Sequence, residues 1–335
     1  MNPFTASLTR KGAVALAVVG ALSLAACGSG SSSAEPTKNA DGLTVLRVTM
    51  VPGVSSLPIK VAMDEGYFKE NGLQIELTEG LDVSAWQSAA GKQFDIVFTN
   101  SAVYAPSIAK GLDNTIINNT TNASDDYVSV TLATKDKINT LSDLKGKKVG
   151  APTLTGLTAE SFKYLMAKEG VKANEYEIVQ MPYGNQPDNL KAGNIDAALT
   201  ANPYYGTLER AGMKLWGKDL AVEAHKAATN GQVDTASSSM YAANTAWVAA
   251  NKETINAWLD SLDKATDLIN SDEGEARKVL KEWLKLPDQL AKDAIIPEYT
   301  TKVDMGQQEA TWTVLKSNGT IQGDFPADRV KVYQR

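Results

Sequence analysis

Two short stretches rich in hydroxyl and amide side chains offer the clearest recognition chemistry in this chain. In "FTNSAVY", Thr99, Asn100 and Ser101 follow an apolar alternating run and precede a helical pattern. In "GAPTLTGLTAESF", Thr153, Thr155, Gly156 and Thr158 hold the same kind of position. The first N–H groups of a helix lack intrahelical partners and attract negative charge, and hydroxyls beside them add donors without adding charge. Plain N-capping is the simpler role for either loop alone. On separate halves of one molecule, the two could grip one small solute from opposite sides. Trp86, Tyr104, Tyr183, Tyr204 and Tyr205 lie near predicted helix starts or strand ends, where each could either pack or wall a cleft with apolar surface and a polar tip.

Covalent chemistry has no comparable signal. The chain contains no GxxxxGK[ST] phosphate loop, no HExxH, no paired-cysteine metal motif and no GxSxG nucleophile elbow. Its one histidine, His225 in "AVEAHKAATN", reads as a surface or lobe-edge side chain, and carboxylates such as Asp260, Asp263 and Asp267 read as helix surface. No catalytic residue, metal site or cofactor is therefore expected. The formal net charge of −6, with no basic block, argues against nucleic acid as a partner.

The elements that must position the polar loops alternate along the chain. "LTVLRVTMV" (43–51) and "LQIELTEG" read as strands around the helical "SSLPIKVAMDEGYFKENG" (55–72), which Gly72 stops. A short helix around Trp86 leads to a strand at Phe94–Phe98 and a helix at about 104–110. A second unit starts near "YVSVTLATK" (127–135), continues through a strand, a Thr/Gly loop and a helix, and repeats the pattern in "YEIVQMPY" and "IDAALTANPYY". Strand–helix alternation predicts a parallel α/β architecture with ligand crevices beyond the carboxyl ends of the strands. The last third is mostly helical. Ile255, Trp258, Leu259, Leu262, Ala265 and Leu268 form one apolar stripe, and Ala276, Val279, Leu280, Trp283 and Leu284 form another.

Ahead of the body, Arg10 and Lys11 precede an apolar stretch from Ala13 to Ala26, shorter than a bilayer-spanning helix needs. Residues 1–26 read as an export signal. Leu24, Ala25, Ala26 and Cys27, followed by Gly28 and serines, resemble the lipobox of bacterial lipoproteins. That resemblance implies cleavage before Cys27, lipidation (a palmitate-type acyl group included) of its thiol, a flexible tether over 27–42, and anchoring on the extracytoplasmic face of the cell membrane. An ordinary secreted protein with a spare thiol is the alternative.

The body then resembles the periplasmic substrate-binding proteins of ABC importers, in the group that serves sulfonates, taurine, nitrate and thiamine-precursor pyrimidines. The segments that carry it are "LPIKVAMDEGYFKENGLQIELTEG", "AAGKQFDIVFTNSAVYAPSIAKG", "LSDLKGKKVGAPTLTG" and "LKAGNIDAALTANPYYGTLERAG", in the family's order over about residues 43–315. The resemblance implies a type II periplasmic-binding-protein-like α/β fold of two lobes joined by two hinge crossings. Lobe 1 would take 43–128 and return over 235–335, and lobe 2 would take 129–234. It implies no enzyme activity, a small-molecule ligand, an ABC permease as partner and a monomer. By family position the ligand would meet Ser55, Ser56, Trp86, Thr99, Asn100, Ser101, Tyr104, Thr153, Thr155, Gly156, Tyr183, Asn202 and Tyr204. Where the family often has an acidic residue before proline, this chain has Asn202 before Pro203, which favours a neutral or anionic ligand. A small sulfonate-like anion is the leading expectation, with a neutral heteroaromatic or nitrate as alternatives. No motif loop contains arginine; Arg47 and Arg210 are the nearest in sequence, and neither can be assigned to the cleft from the sequence. A pyrimidine-synthesis-like enzyme and a structural lipoprotein are the competing classes.

Overall fold

Alternation along two strands shows how the second half of the molecule is built. Leu132, Ala197 and Leu199 turn into a core with Val149, Phe162, Leu165 and Leu220, while their neighbours Ala133 and Ala198 turn to the opposite face, against Leu190, Ile195, Leu208 and Met213. Strands covered on both faces read as apolar runs, as "AAL" at 197–199 does. The computed structural model describes residues 36–335; the signal, Cys27 and the first part of the expected tether lie outside the described residues.

The strands are β1 (Thr44–Met50), β2 (Leu73–Glu79), β3 (Val97–Thr99), β4 (Asn114–Ala123), β5 (Val130–Thr134), β6 (Lys148–Ala151), β7 (Glu177–Gln180), β8 (Ala197–Ala201), β9 (Lys214–Leu215), β10 (Ala236–Asn244) and β11 (Lys331–Val332). In the first lobe β1 pairs in parallel with β2, Val48 bridges to Ile96, and the order continues β3-β10-β4-β11. The second lobe has the order β7-β6-β8-β5-β9. The sheets are mixed rather than parallel: β10 runs antiparallel to β3 and β4, and β5 antiparallel to β8 and β9. These are the strands that receive the chain as it passes between the lobes, over residues 124–129 and again before β10.

Local chemistry explains most element ends. The expected helix over 55–72 is broken into Leu57–Asp64 and Tyr67–Glu70 by Gly66, whose φ of 76° suits a residue without a Cβ. The helix Lys252–Ser271 buries Ile255, Trp258, Leu259, Leu262, Ala265 and Ile269 against the first sheet, with the Trp258 ring stacked 5.1 Å from Phe68. Residues 37–42, expected in the flexible tether, instead fold onto β1. Val45 N donates to the Thr37 carbonyl at 2.8 Å, and the Asn39 side chain reaches Gln74.

Two features depart from the sequence pattern. β4, "NTIINNTTNA", is buried along nearly its whole length although its four asparagines dilute the strand signal of its Ile and Thr residues. Its polar side chains are paired inside: Asn118 Oδ1 accepts from Trp258 Nε1 at 3.0 Å, and Asn119 Oδ1 accepts from Ser237 Oγ at 2.7 Å. His225, expected at a surface or lobe edge, is buried at 1 % exposure. Its Nδ1 lies 2.7 Å from the Thr235 carbonyl, which can only accept, so Nδ1 carries the proton and Nε2 accepts from Thr311 Oγ1 at 2.9 Å. Burial lowers its pKa, which keeps the ring neutral.

Candidate functional site: the cleft between the two sheets

Three helix starts converge where the lobes face each other. The helix Ser101–Ala109 follows β3 and is capped by Asn100, whose Oδ1 accepts from Val103 N at 3.1 Å. The helix Leu157–Lys168 begins at Gly156, at φ 92°, with no side-chain cap, so its first N–H groups stay unclaimed by a side chain. The helix Leu220–Thr229 begins at Asp219. Between them lies a cavity of about 600 Å³, within the range of small-molecule sites.

Val51, Pro52, Leu81 and Phe98 supply apolar wall from the first lobe, and Pro152, Leu157 and Pro182 supply it from the second. Polar groups come from Asn100, Ser129, Thr153, Thr158, Gln180 and Ser238. Tyr183 and Tyr204 form one side as a stacked pair, with centroids 4.8 Å apart and planes 14° apart. Burial raises the Tyr183 phenol to about 12, so at neutral pH it keeps its proton and can donate.

Asp219 is the charged residue of the lining, which holds no lysine, arginine or histidine among the described residues. Its carboxylate is fully occupied. Oδ2 accepts from Ser129 N and Val130 N at 2.8 and 2.9 Å, and Oδ1 from Ala221 N and Val222 N at 2.8 and 3.1 Å. It thereby fastens the first crossing to the helix start. Burial pushes its pKa up to about 6, against the lowering effect of the four amides. Sequence reasoning missed this residue, although an aspartate directly before an apolar helical run is an N-cap signal.

The structure brings together Asn100, Thr153, Gly156, Tyr183 and Tyr204 of the residues expected at the site. It places the others elsewhere. Ser56 is buried, donating to the Val51 carbonyl at 2.8 Å, and Ser55 is half-buried in the turn beside it. Trp86 packs in the first-lobe core, close over Gly80. Thr99 is buried beneath the cavity wall, and Ser101 is buried with its hydroxyl lacking a protein partner. Tyr104 faces inward, its hydroxyl donating to the Asn114 carbonyl at 2.7 Å. None of these six reaches the lining: Thr99 ends its strand pointing into the first lobe, and the other five lie on helical turns whose side chains face that lobe or its surface. Thr155 is exposed and only its carbonyl is engaged, by Thr153 Oγ1 at 2.7 Å. Asn202 spends both ends of its amide on the main chain of Ile295. Arg47 is bound to Asp95 and Arg210 to Asp293, so neither reaches the cavity.

A family model described as NMT1/THI5 like matches residues 54–276, which include the cavity lining of both lobes apart from Val51 and Pro52. The chain belongs to the NMT1/THI5-like family. A Haemophilus influenzae relative named "Putative thiamine biosynthesis protein" is 28 % identical over 148 residues, 43 % of this chain and 45 % of that protein, so the match spans about half that protein's length. A Brachyspira hyodysenteriae relative, named as a "Putative ABC transporter periplasmic binding protein", is 26 % identical over 78 % of this chain and 74 % of its own. Among solved structures, the fold is similar to that of the periplasmic aliphatic sulphonate-binding protein SsuA of Escherichia coli. That similarity has a TM-score of 0.68 at 18 % identity, over 85 % of this chain and 97 % of the other. The alkanesulfonate-binding protein SsuA of Xanthomonas axonopodis, bound to MOPS, is similar at TM-score 0.68 and 15 % identity, over 89 % and 100 %. Like the SsuA structures, the protein has a periplasmic-binding-protein fold of two α/β lobes. Among the described residues, no cluster of three or more His, Cys, Asp or Glu is placed to hold a metal ion, and no helix is long and apolar enough to cross a membrane.

Proposed function

We propose that this protein is the extracytoplasmic solute-binding component of an ABC importer, which captures a small organic molecule between its lobes and hands it unchanged to a permease. The observation that carries this reading is the cavity of about 600 Å³ walled from both lobes, between which the chain passes over residues 124–129 and again before β10. Such a cleft can shut over a solute by bending at its crossings and present a changed surface when shut. A relative named as a periplasmic binding protein supports the transport role. In the proposed setting Cys27 carries the lipid anchor and the body works as a monomer at the outer face of the membrane.

The solute in this reading is a small sulfonate-like anion. Its oxygens meet the uncapped start of the helix Leu157–Lys168 with Thr158 and Asn100, and its carbon part lies on Tyr183, Tyr204 and Leu81. Fold similarity to two sulfonate-binding proteins supports that choice. A second reading, a neutral heteroaromatic solute of pyrimidine type, is favoured by the cation-free lining and the flat tyrosine pair. A thermal-shift screen of alkanesulfonates, taurine, nitrate and pyrimidines decides between them. A solute at a hundred times its Kd contributes about 2.7 kcal/mol and should raise Tm by several degrees, and Tyr204→Ala should abolish the rise. A Tm unmoved by the whole panel removes both ligand assignments, and turnover of any compound removes the transport reading.

A further inference from the structure

Besides the two crossings and the helix Met305–Ser317, which packs on helices of both lobes, the lobes meet at a further place. Asn202, one residue beyond β8, turns its side-chain amide onto the main chain of Ile295: Nδ2 donates to the carbonyl at 2.6 Å, and Oδ1 accepts from the N–H at 3.0 Å. Arg210, which ends the helix Tyr205–Arg210, pairs with Asp293. Asp293 rests so closely on Gly206 that a Cβ added there would stand 2.9 Å from its side-chain atoms.

The two sides of this contact belong to different lobes. Ala291, Ala294 and Ile296 pack into the first-lobe core, and Arg277 holds the segment through the carbonyls of Ala291 and Lys292 at 3.1 and 3.2 Å. Asn202 and Gly206 leave from the central strand of the second sheet. Two residues past Asn202, Tyr204 forms cavity wall against Tyr183. One loop thus faces the cavity and grips the opposite lobe.

We propose that Asn202, Gly206 and Arg210 form a clasp on Asp293 and Ile295 that holds the lobes in the arrangement with the cavity walls facing, and that a solute packed on Tyr204 favours the same arrangement. A contact made in one of two conformations biases the equilibrium toward it, and apparent affinity scales with the fraction of molecules in the binding-competent state. Only the second clause rests on the solute-capture reading. The first needs no solute to test.

Nitroxide labels at Thr78→Cys and Glu177→Cys, exposed positions on β2 and β7, report the separation of the lobes by pulsed EPR in the full chain with Cys27→Ser. Without solute, Arg210→Ala and Gly206→Ala should each add a component longer by more than about 2 Å. Gly206→Ala is the sharper variant, because alanine favours the helix itself while its methyl wedges Asp293 away. Arg210→Asp should behave likewise, and Arg210→Asp combined with Asp293→Arg should restore the short distance. Wild-type distances in folded Arg210→Ala and Gly206→Ala would overturn the clasp, as would a solute-free wild-type protein already at the longer distance. If the variants lengthen the distance and no compound of the screening panel shortens it, the clasp stands and solute capture falls. If a panel compound binds with equal affinity and closes every variant alike, capture stands and the clasp falls.

Discussion

Asp219 shows how much one side chain can organise. Four backbone amides from two segments end on its carboxylate, so the first crossing and the helix start move as one piece. Asp219→Asn offers one acceptor and turns an amino group toward N–H donors. It should lose at least about 2 kcal/mol in chemical denaturation, since buried amides left unpaired cost about 1–3 kcal/mol each. An unchanged midpoint would contradict the bonding described. Trp258 gives a second residue-scale expectation: Trp258→Phe keeps most of the stacking on Phe68 but strips Asn118 of its donor, which should cost about 1–3 kcal/mol in urea unfolding. Trp258→Phe with Asn118→Leu should recover part of that loss. The aromatic and hydroxyl loops were readable from spacing. Which of Thr99, Asn100 and Ser101 faces the cavity was not, because consecutive residues leaving a strand point in different directions.

At the scale of elements, the helix Met305–Ser317 packs on helices of both lobes and reaches His225 through Thr311. Because burial lowers the His225 pKa below its unfolded value near 6.5, the folded state takes up fewer protons than the unfolded chain below that pH. The stability this histidine contributes is present above about pH 6.5 and is lost as pH falls through that value. Asp219 works in the opposite direction: its raised pKa favours the folded state as pH falls from about 6 toward 4. Comparing wild type with His225→Gln cancels the Asp219 contribution. The gap between their urea midpoints should narrow from pH 7.5 to 5.5, and a constant gap would show that His225 is not held neutral. Amphipathic helices such as Lys252–Ser271 were legible from their stripes. β4 was not, since its four asparagines read as turn residues until partners on neighbouring elements satisfy them.

The molecule as a whole was recognisable as a two-lobed α/β body from strand–helix alternation and the order of its family-like segments. Composition and periodicity determine the α/β elements, because burial of apolar stripes is a local requirement that each element carries in its own sequence, while the division into two lobes is what the family resemblance implied. Only the tertiary structure decided that Asn100, Thr153, Gly156, Tyr183 and Tyr204 share one cavity while Ser56, Trp86, Thr99 and Tyr104 sit inside a lobe. It alone showed that the arginines are spent on Asp95 and Asp293, and that an aspartate stands in the cleft wall. Side-chain direction, the pairing of charges and the neighbours across a cleft depend on residues far apart in the chain. Contacts such as Asn202 with Ile295 exist only once two lobes have been folded and set against each other.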